Sequence, residues 1–417
     1  MLDNWPPLPL IIHDPYPINV YLGVSNVTSN LNNIIAALER NDCVCRIKLV
    51  NLTNSQMGCI TDSAAMQKPF PELTDLQLVI FHYRGSIPIL PDSFLGRTAP
   101  RLRSLVLDNV PFPGLPKLLP STTHLVELYL DNIPHSGYIP PEVMATSLSA
   151  LTNLESLGLH FRFPRPRPAL ESRRPPPPSL TRSILLSLTK MRFQGASEYL
   201  EEILARIDAP RLNKIHITLF NQIIFDTPQL FQFISRRPTL RAPEKGHIAF
   251  NSGDVFVGFP SQTSDYAVLS VRILCMASEW QLSSLEQVCT SSLPPFSTLE
   301  DLYMHKDPYW RPHWQDDVEN SLWLDLLHAF VALKNLYLSV EYVPSIAPAL
   351  QELVEGGTIE VLPTLENIFL EGFQTSQPLH EGIEKFVAAR RFTSHPVAVF
   401  RWDGDPSPAM QWKIFNW

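Results

Sequence analysis

Leu102–Asp108 reads LRSLVLD, and Leu125–Asp131 repeats the pattern as LVELYLD. Leu154–His160 is a third copy, LESLGLH, and Leu73–Val79 a fourth, LTDLQLV. Val44–Val50, VCRIKLV, is an earlier one in which Val and Ile replace two leucines. The copies start 29 residues apart (44 to 73), then 29 (73 to 102), 23 (102 to 125) and 29 (125 to 154). Apolar residues three and then two apart cannot follow one face of a helix over a full turn. The last two, spaced i and i+2, share one face of a strand.

A short strand recurring every ~20–29 residues is the pattern of a leucine-rich repeat. Weaker copies start at Leu188, Leu212, Leu299, Leu333 and Leu365. Between 240 and 275 the phrase fails, although His247–Phe250 and Val268–Leu274 still alternate as strands do, and Val397–Phe400 resembles a closing strand. Helical patterns fall between strands, at Asn33–Arg40, Ser197–Ile207, Pro228–Ser235, Trp280–Cys289, Asn320–Leu333, Ile346–Glu355 and Glu381–Arg391. Ser197 suits a helix cap, with Glu201 and Glu202 in the early turns. The fold class expected is therefore α/β, a leucine-rich-repeat solenoid with a parallel concave sheet and helices and loops on the convex side.

Such a scaffold escapes the limit of ~250–300 residues on a single core, because each unit packs only on its neighbours. One solenoid is expected over 1–402, with regular repeats over 31–162, a proline-rich insertion over 163–178, irregular repeats over 179–402 and a tail over 403–417. The chain holds 40 prolines in 417 residues, about a tenth, and only 16 glycines. Rigid loops follow, and short 3-10 turns in the returns of the early repeats. Seven of the prolines lie in Pro164–Pro178, interleaved with arginines, a composition that extends as polyproline and is expected to be mobile.

The net charge of −8 disfavours a nonspecific grip on nucleic acid. No apolar run reaches the ~18 residues that a membrane span needs. Five cysteines (Cys43, Cys45, Cys59, Cys275 and Cys289) are an odd count at low density, so core thiols and a reducing compartment, cytoplasmic or nuclear, are expected instead of a disulfide framework.

Six segments resemble proteins of a large group in mushroom-forming fungi that join an F-box to leucine-rich repeats: Pro91–Gly96, Pro134–Ile139, Ser197–Pro210, Asn221–Leu240, Glu279–Cys289 and Phe386–Arg391. The resemblance spans nearly the whole chain. It implies the substrate-recognition part of a Skp–cullin–F-box ubiquitin ligase, in which the box grips a Skp-type adaptor and the repeats present a protein substrate. The family's box opens on a leucine-proline-x-glutamate helix entry. Here Leu8-Pro9 runs into the strand-like Leu10-Ile11-Ile12, so the box is expected to be missing, or to lie upstream of Met1, and no residue is assigned to the adaptor. A stand-alone repeat protein outside ubiquitin transfer is the alternative, and a cryptic hydrolase in the irregular half a remoter one.

The third, fifth and seventh positions of the phrase face away from the leucines. They form an acidic, tyrosine-bearing patch (Asp108, Glu127, Tyr129, Asp131), a basic patch (Lys190, Arg192, Lys214, His216) and an aromatic strip (Tyr303, His305, Tyr337, Phe369). Tyrosine is common at binding hot spots, which makes this face the candidate partner surface. The alternative is a solvated strand face of mixed charge. His305–Asp317, HKDPYWRPHWQDD, is expected to be a rim loop carrying Tyr309, Trp310 and Trp314; its His and Asp spacing matches no standard metal-ligand set. No phosphate-binding glycine loop, nucleophile elbow or zinc-protease helix occurs, so neither catalysis nor a cofactor is expected.

Overall fold

Alternation in the leucine phrase sets the first structural fact. In Asp75–Ile80, Ser104–Asp108 and Glu127–Ile133 the leucines are buried and the residues between them half-buried or exposed. The computed structural model describes residues 9–14, 25–81, 87–164, 182–222, 224–241, 243–261, 264–275, 278–291, 298–306, 320–355, 361–372, 379–391 and 396–402. It divides into two units, Met1–Leu212 and Asn213–Trp417.

In the first unit the chain runs β1 (Leu10–Asp14), α1 (Ser25–Leu38), β2 (Val44–Leu52), α2 (Asn54–Asp62), β3 (Asp75–Ile80), β4 (Ser104–Asp108), α3 (Leu115–Leu118), β5 (Glu127–Ile133), α4 (Pro141–Leu148), β6 (Ser156–Phe161), β7 (Ser183–Ile184), β8 (Lys190–Gly195), α5 (Ser197–Arg206) and β9 (Ile207–Asp208). Strands β1, β2, β3, β4, β5, β6 and β8 lie side by side in that order, every described pair parallel. Small β7 and β9 pair separately. The register is that of the phrase. Ile47, Leu76, Leu105, Leu128, Leu157 and Met191 make one row, and Leu49, Leu78, Leu107, Leu130, Leu159 and Phe193 the next, all buried.

Several returns in this unit are short. Helix α3 has four residues, and 3-10 turns occupy Ala64–Gln67, Phe94–Arg97 and Leu119–Ser121. Helix α2 opens on a capping box: Thr53 accepts from the Gln56 backbone N–H and the Gln56 side chain accepts from the Thr53 N–H. Where β2, β4 and β5 leave the ladder, Asn51, Asn109 and Asn132 take positive φ of 61°, 58° and 49°. Asparagine tolerates this left-handed region better than branched residues do. Ala196, not Ser197, holds the N-cap position of α5; Ser197 lies one residue inside and is buried. Tyr199 of α5 packs 4.6 Å from Phe161 and donates its hydroxyl to the Ile139 carbonyl at 3.0 Å, tying this helix to the repeat before it.

The second unit runs β10 (Lys214–Phe220), α6 (Pro228–Ser235), α7 (Pro238–Arg241), β11 (Lys245–Phe250), β12 (Asp254–Ser261), β13 (Ser264–Leu274), α8 (Ser278–Ser291), β14 (Asp301–Lys306), α9 (Asn320–His328), β15 (Asn335–Leu338), α10 (Val343–Glu355), β16 (Asn367–Glu371), α11 (Glu381–Arg390) and β17 (Ala398–Trp402). The strand order is β10, β13, β12, β11, β14, β15, β16, β17. Here the structure corrects an all-parallel expectation: β12 is antiparallel to both β11 and β13. Its links, Asn251–Gly253 on one side and two residues on the other, are too short for a crossover, so the strand must turn back. Asn251 holds the first turn, donating from its backbone to the Asp254 carbonyl at 2.8 Å and from its side chain to Asp254 Oδ1 at 2.7 Å. The remaining neighbours pair parallel, and α8, α9, α10 and α11 pack successively.

Two close details hold the last repeats. A Cβ on Gly382 would come within 2.3 Å of the Ala347 carbonyl oxygen, so only glycine lets α11 approach α10 there. Arg390 is 5% exposed and donates to the Val361 and Leu362 carbonyls, satisfying the turn before β16. The cysteines are all free, but only Cys275 and Cys289 are buried; Cys43 and Cys45 are half-buried and Cys59 is exposed. Cys45 Sγ lies 3.5 Å from the Leu10 carbonyl oxygen, on the β1 side of β2. Most of the proline-rich insertion and the tail after Trp402 lie outside the described residues.

Leu128 lies in the middle of its buried row. Leu128→Ala is expected to cost about 2–5 kcal/mol in urea unfolding, whereas Val143→Ala, on an exposed helix face, stays within about 0.5 kcal/mol.

Candidate functional site

Because the leucines take one face of each strand, the other face must be polar or aromatic to meet water, and parallel register lines those residues up across strands about 4.8 Å apart. In the first unit the rows are Arg46, Asp75, Ser104, Glu127, Ser156, Lys190 and, beside it, Lys48, Gln77, Val106, Tyr129, Gly158, Arg192. Asp108 and Asp131 are register partners in the next row.

Charges pair laterally along these rows. Arg46 Nη2 lies 3.3 Å from Asp75 Oδ2, and Ser104 donates to Glu127 Oε2 at 3.2 Å. Asp131 Oδ1 sits 2.6 Å from His160 Nδ1, and Asn132 Nδ2 donates to Asp108 Oδ1 at 2.8 Å. Burial pushes the Asp108 carboxyl above the ordinary range; the Asn132 hydrogen bond opposes this, the Asp131 charge adds to it and His160 opposes it. Tyr129 leans over β6: a Cβ on Gly158 would fall 2.4 Å from its Cδ1. The four acidic-patch residues Asp108, Glu127, Tyr129 and Asp131 are thus neighbours, with His160 joined to them. Lys190 and Arg192 follow on β8, Lys190 exposed and Arg192 half-buried. A surface groove runs past the N-terminal ends of the strands, lined among others by Thr74, Arg103, His124, Asn153, Glu155 and Ser187.

Lys214 and His216 lie on β10 of the second unit, and His216 Nδ1 is 2.7 Å from Ser270 Oγ on β13. Farther along the same face the rings form a ladder. His247 stacks on Tyr303 at 4.7 Å, Tyr303 on Tyr337 at 4.1 Å, Tyr337 on Phe369 at 4.4 Å and Phe369 on Phe400 at 5.3 Å. These five residues are successive register partners on β11, β14, β15, β16 and β17. Trp402 reaches back across the strip and meets Tyr337 at 5.5 Å and Tyr303 at 6.0 Å, both at steep angles. A polar chain runs alongside: Asn335 Nδ2 donates to Asp301 Oδ1 at 2.6 Å, and Asn367 Nδ2 to Asn335 Oδ1 at 2.8 Å.

Tyr303, Tyr337 and Phe369 are therefore gathered in one strip. His305 belongs to β14 and pairs with Ala249 by its backbone. Its side chain, and the rim-loop residues Tyr309, Trp310 and Trp314, lie outside what is described. Asp301, Asn335 and Asn367 stand at the third positions of their phrases, and only the structure joins them to one another; His247, Phe400 and Trp402 stand outside every copy of the phrase. Their signal was present, since Phe400 and Trp402 alternate in Ala398–Trp402, but the neighbours that give them meaning lie on other strands.

Among the described residues, no group of three or more His, Cys, Asp or Glu can hold a metal ion. No helix there is long and apolar enough to cross a membrane. No family model matches the chain, and no curated protein matches it. Among solved structures, the leucine-rich repeat-containing protein LegL7 from Legionella pneumophila is similar at 12% identity and a TM-score of 0.30, over 91% of this chain and 96% of that one. A likeness at that level says nothing of this chain's chemistry. The repeat reading stands on the leucine rows and their parallel register.

Two outcomes test the face. Gly158→Ala is expected to destabilise by about 1–3 kcal/mol through the clash with Tyr129, and the loss should largely vanish in a Tyr129→Ala background, as a double-mutant cycle in urea reads directly. Asp108 binds its proton more tightly folded than unfolded. Its contribution is therefore favourable at low pH and is lost as pH rises through the unfolded and then the folded titration range. Asp108→Asn should accordingly gain stability over the parent at pH 7 relative to pH 4, and an equal difference at both pH values would refute the assignment.

Proposed function

We propose that this chain is a protein-binding scaffold that receives a protein partner on the open face of its sheets. One observation carries the reading: side chains from successive repeats are placed in lateral rows of charged, amide and aromatic groups, offering an extended surface instead of a single reactive centre. Tyr129, Tyr303, Tyr337 and Trp402 supply rings of the kind enriched at hot spots, and the carboxylates around Asp108 and Asp131 supply charge specificity. The chemistry of such a protein is positioning. Neither a metal nor a cofactor enters it.

Within that reading, we infer the finer role from the resemblance: the substrate-recognition part of a Skp–cullin–F-box ubiquitin ligase, with the repeats over 1–402 acting as one receptor in the cytoplasm or nucleus. The alternative is a stand-alone repeat module outside ubiquitin transfer.

Affinity purification of the full chain separates these readings. Capture of a defined partner should survive Glu39→Gln, an exposed change beyond the end of α1, and fall at least tenfold in a Tyr129→Ala, Asp131→Arg double variant or in Lys190→Glu, Arg192→Glu, Lys214→Glu. Retention by both sets would overturn open-face binding. Co-purification of a Skp-type adaptor and a cullin supports the ligase role; partner capture without either leaves the stand-alone module.

A further inference from the structure

The groove past the strand entries of the first unit lies off the open face. Two rows of side chains line it. Arg101, His124, Asn153 and Ser187 each precede the first leucine of their phrase, and Thr74, Arg103, Val126 and Glu155 each follow it. Stacking of the repeats in register sets the two rows alongside each other at the entries of β3, β4, β5, β6 and β8.

Most polar groups here are already satisfied. The carbonyls of Thr74, Arg103, Val126 and Glu155 each accept two N–H groups from the following repeat. Asn153 donates to the Thr123 carbonyl at 2.9 Å, Ser187 to the Thr152 carbonyl at 2.8 Å and the Thr74 hydroxyl to the Cys45 carbonyl at 2.9 Å. Arg101 pairs with Glu72 and Arg46 with Asp75. Glu127 and Lys190 stand in the row of the open face, where Glu127 accepts from Ser104. Three side chains are left over. Arg103, His124 and Glu155 are exposed and, among the described residues, form no ion pair and no side-chain hydrogen bond.

The two left-over charges are opposite in sign and held apart. Arg103 leads into β4 and Glu155 into β6, two strand spacings or about 10 Å from each other. Half-buried Val126, at the entry of β5, lies between them. A polyanion would meet Glu155 and a polycation would meet Arg103, so the groove selects a ligand that carries both signs.

We propose that the groove seats an extended segment of a protein partner, with a carboxylate side chain at one point and a basic side chain four residues away. The carboxylate accepts two N–H groups from the planar fork of the Arg103 guanidinium, with His124 beside it. The basic residue meets Glu155, and a small apolar residue midway covers Val126. Alternate side chains of an extended segment share a face, so its first, third and fifth residues enter the groove together, about 13 Å from end to end. The long arms of Arg103 and Glu155 take up the difference. A carboxylate fits better than a phosphate, because Glu155 and Glu72 repel a second negative charge. The inference rests on the protein-binding reading but uses a surface separate from the open face.

Fluorescence anisotropy of a labelled, capped Glu-Gly-Val-Gly-Arg peptide with the full chain tests it. This peptide should bind at least tenfold more tightly than versions with Gln for its Glu or citrulline for its Arg. Arg103→Gln and Glu155→Gln should each weaken it at least fivefold, and Glu39→Gln should leave it unchanged. Arg103→Glu should lose this peptide and bind Lys-Gly-Val-Gly-Arg instead, which the unaltered chain refuses. Urea midpoints confirm that the variants fold, and the peptide series on the unaltered chain decides the matter if one does not. Equal binding of the Gln peptide, or binding that survives Arg103→Gln and Glu155→Gln together, would overturn the seat. Tenfold tighter binding of a phosphoserine peptide would overturn it in favour of a phosphate reader. Absence of peptide binding with open-face partner capture intact overturns the groove and leaves the scaffold reading standing; loss of capture from open-face variants is read in its own assay.

Discussion

Burial of two leucine rows per sheet is the constraint on which the rest depends. A strand of five or six residues cannot bury its own apolar face. Parallel pairing with like strands lets Leu105, Leu128 and Leu157 cover one another, and the returning helices close the row from behind. Each row buries several side chains worth about 1.5–3 kcal/mol apiece, while each strand's backbone finds partners on its neighbours. A one-residue slip would turn every leucine outward, so the register is held strongly. That same register makes the open face an ordered array rather than a random polar surface.

Order on the open face has electrostatic and steric consequences. Asp108 and Asp131 are forced beside each other because both follow the last leucine of their phrase, and the structure relieves the repulsion locally with Asn132 and His160. Tyr129 has room to lean only because its neighbour is Gly158. In the second unit the strand spacing nearly matches the thickness of stacked rings, and four consecutive pairs stack along five strands. The stack stiffens the strip.

Residues 240–275 show where local pattern reading loses force. His247–Phe250 and Val268–Leu274 alternate visibly, but Asp254–Ser261 between them is buried on both faces along much of its length and reads as no repeat at all. The hairpin signal Asn251-Ser252-Gly253 was there, and a connection of that length excludes a crossover. Its effect is long-range: β11 is displaced three places from β10, and β13 takes the position that chain order would assign to β11. The helix boundaries fared better. Pro228–Ser235 matches the observed α6, because a proline at the first helical position marks its own start. Asn320–Leu333 ran long, since Phe330 and Leu333 continue the apolar period after the helix has ended at His328.

The amino-acid sequence alone determined that this is a repeated strand-and-return protein, which residues bury and which face out, and hence that Asp108, Glu127, Tyr129, Asp131, Lys190, Tyr303, Tyr337 and Phe369 share an outward side of their strands. Alternation within a strand is a local property, so it is written locally. Tertiary structure alone decided who stands next to whom: Asp131 against His160, His247 against Tyr303, Trp402 folded back over Tyr337. Adjacency depends on strand pairing across 29 residues or more, and on how far a large side chain reaches over its neighbours, and neither is encoded in any one phrase.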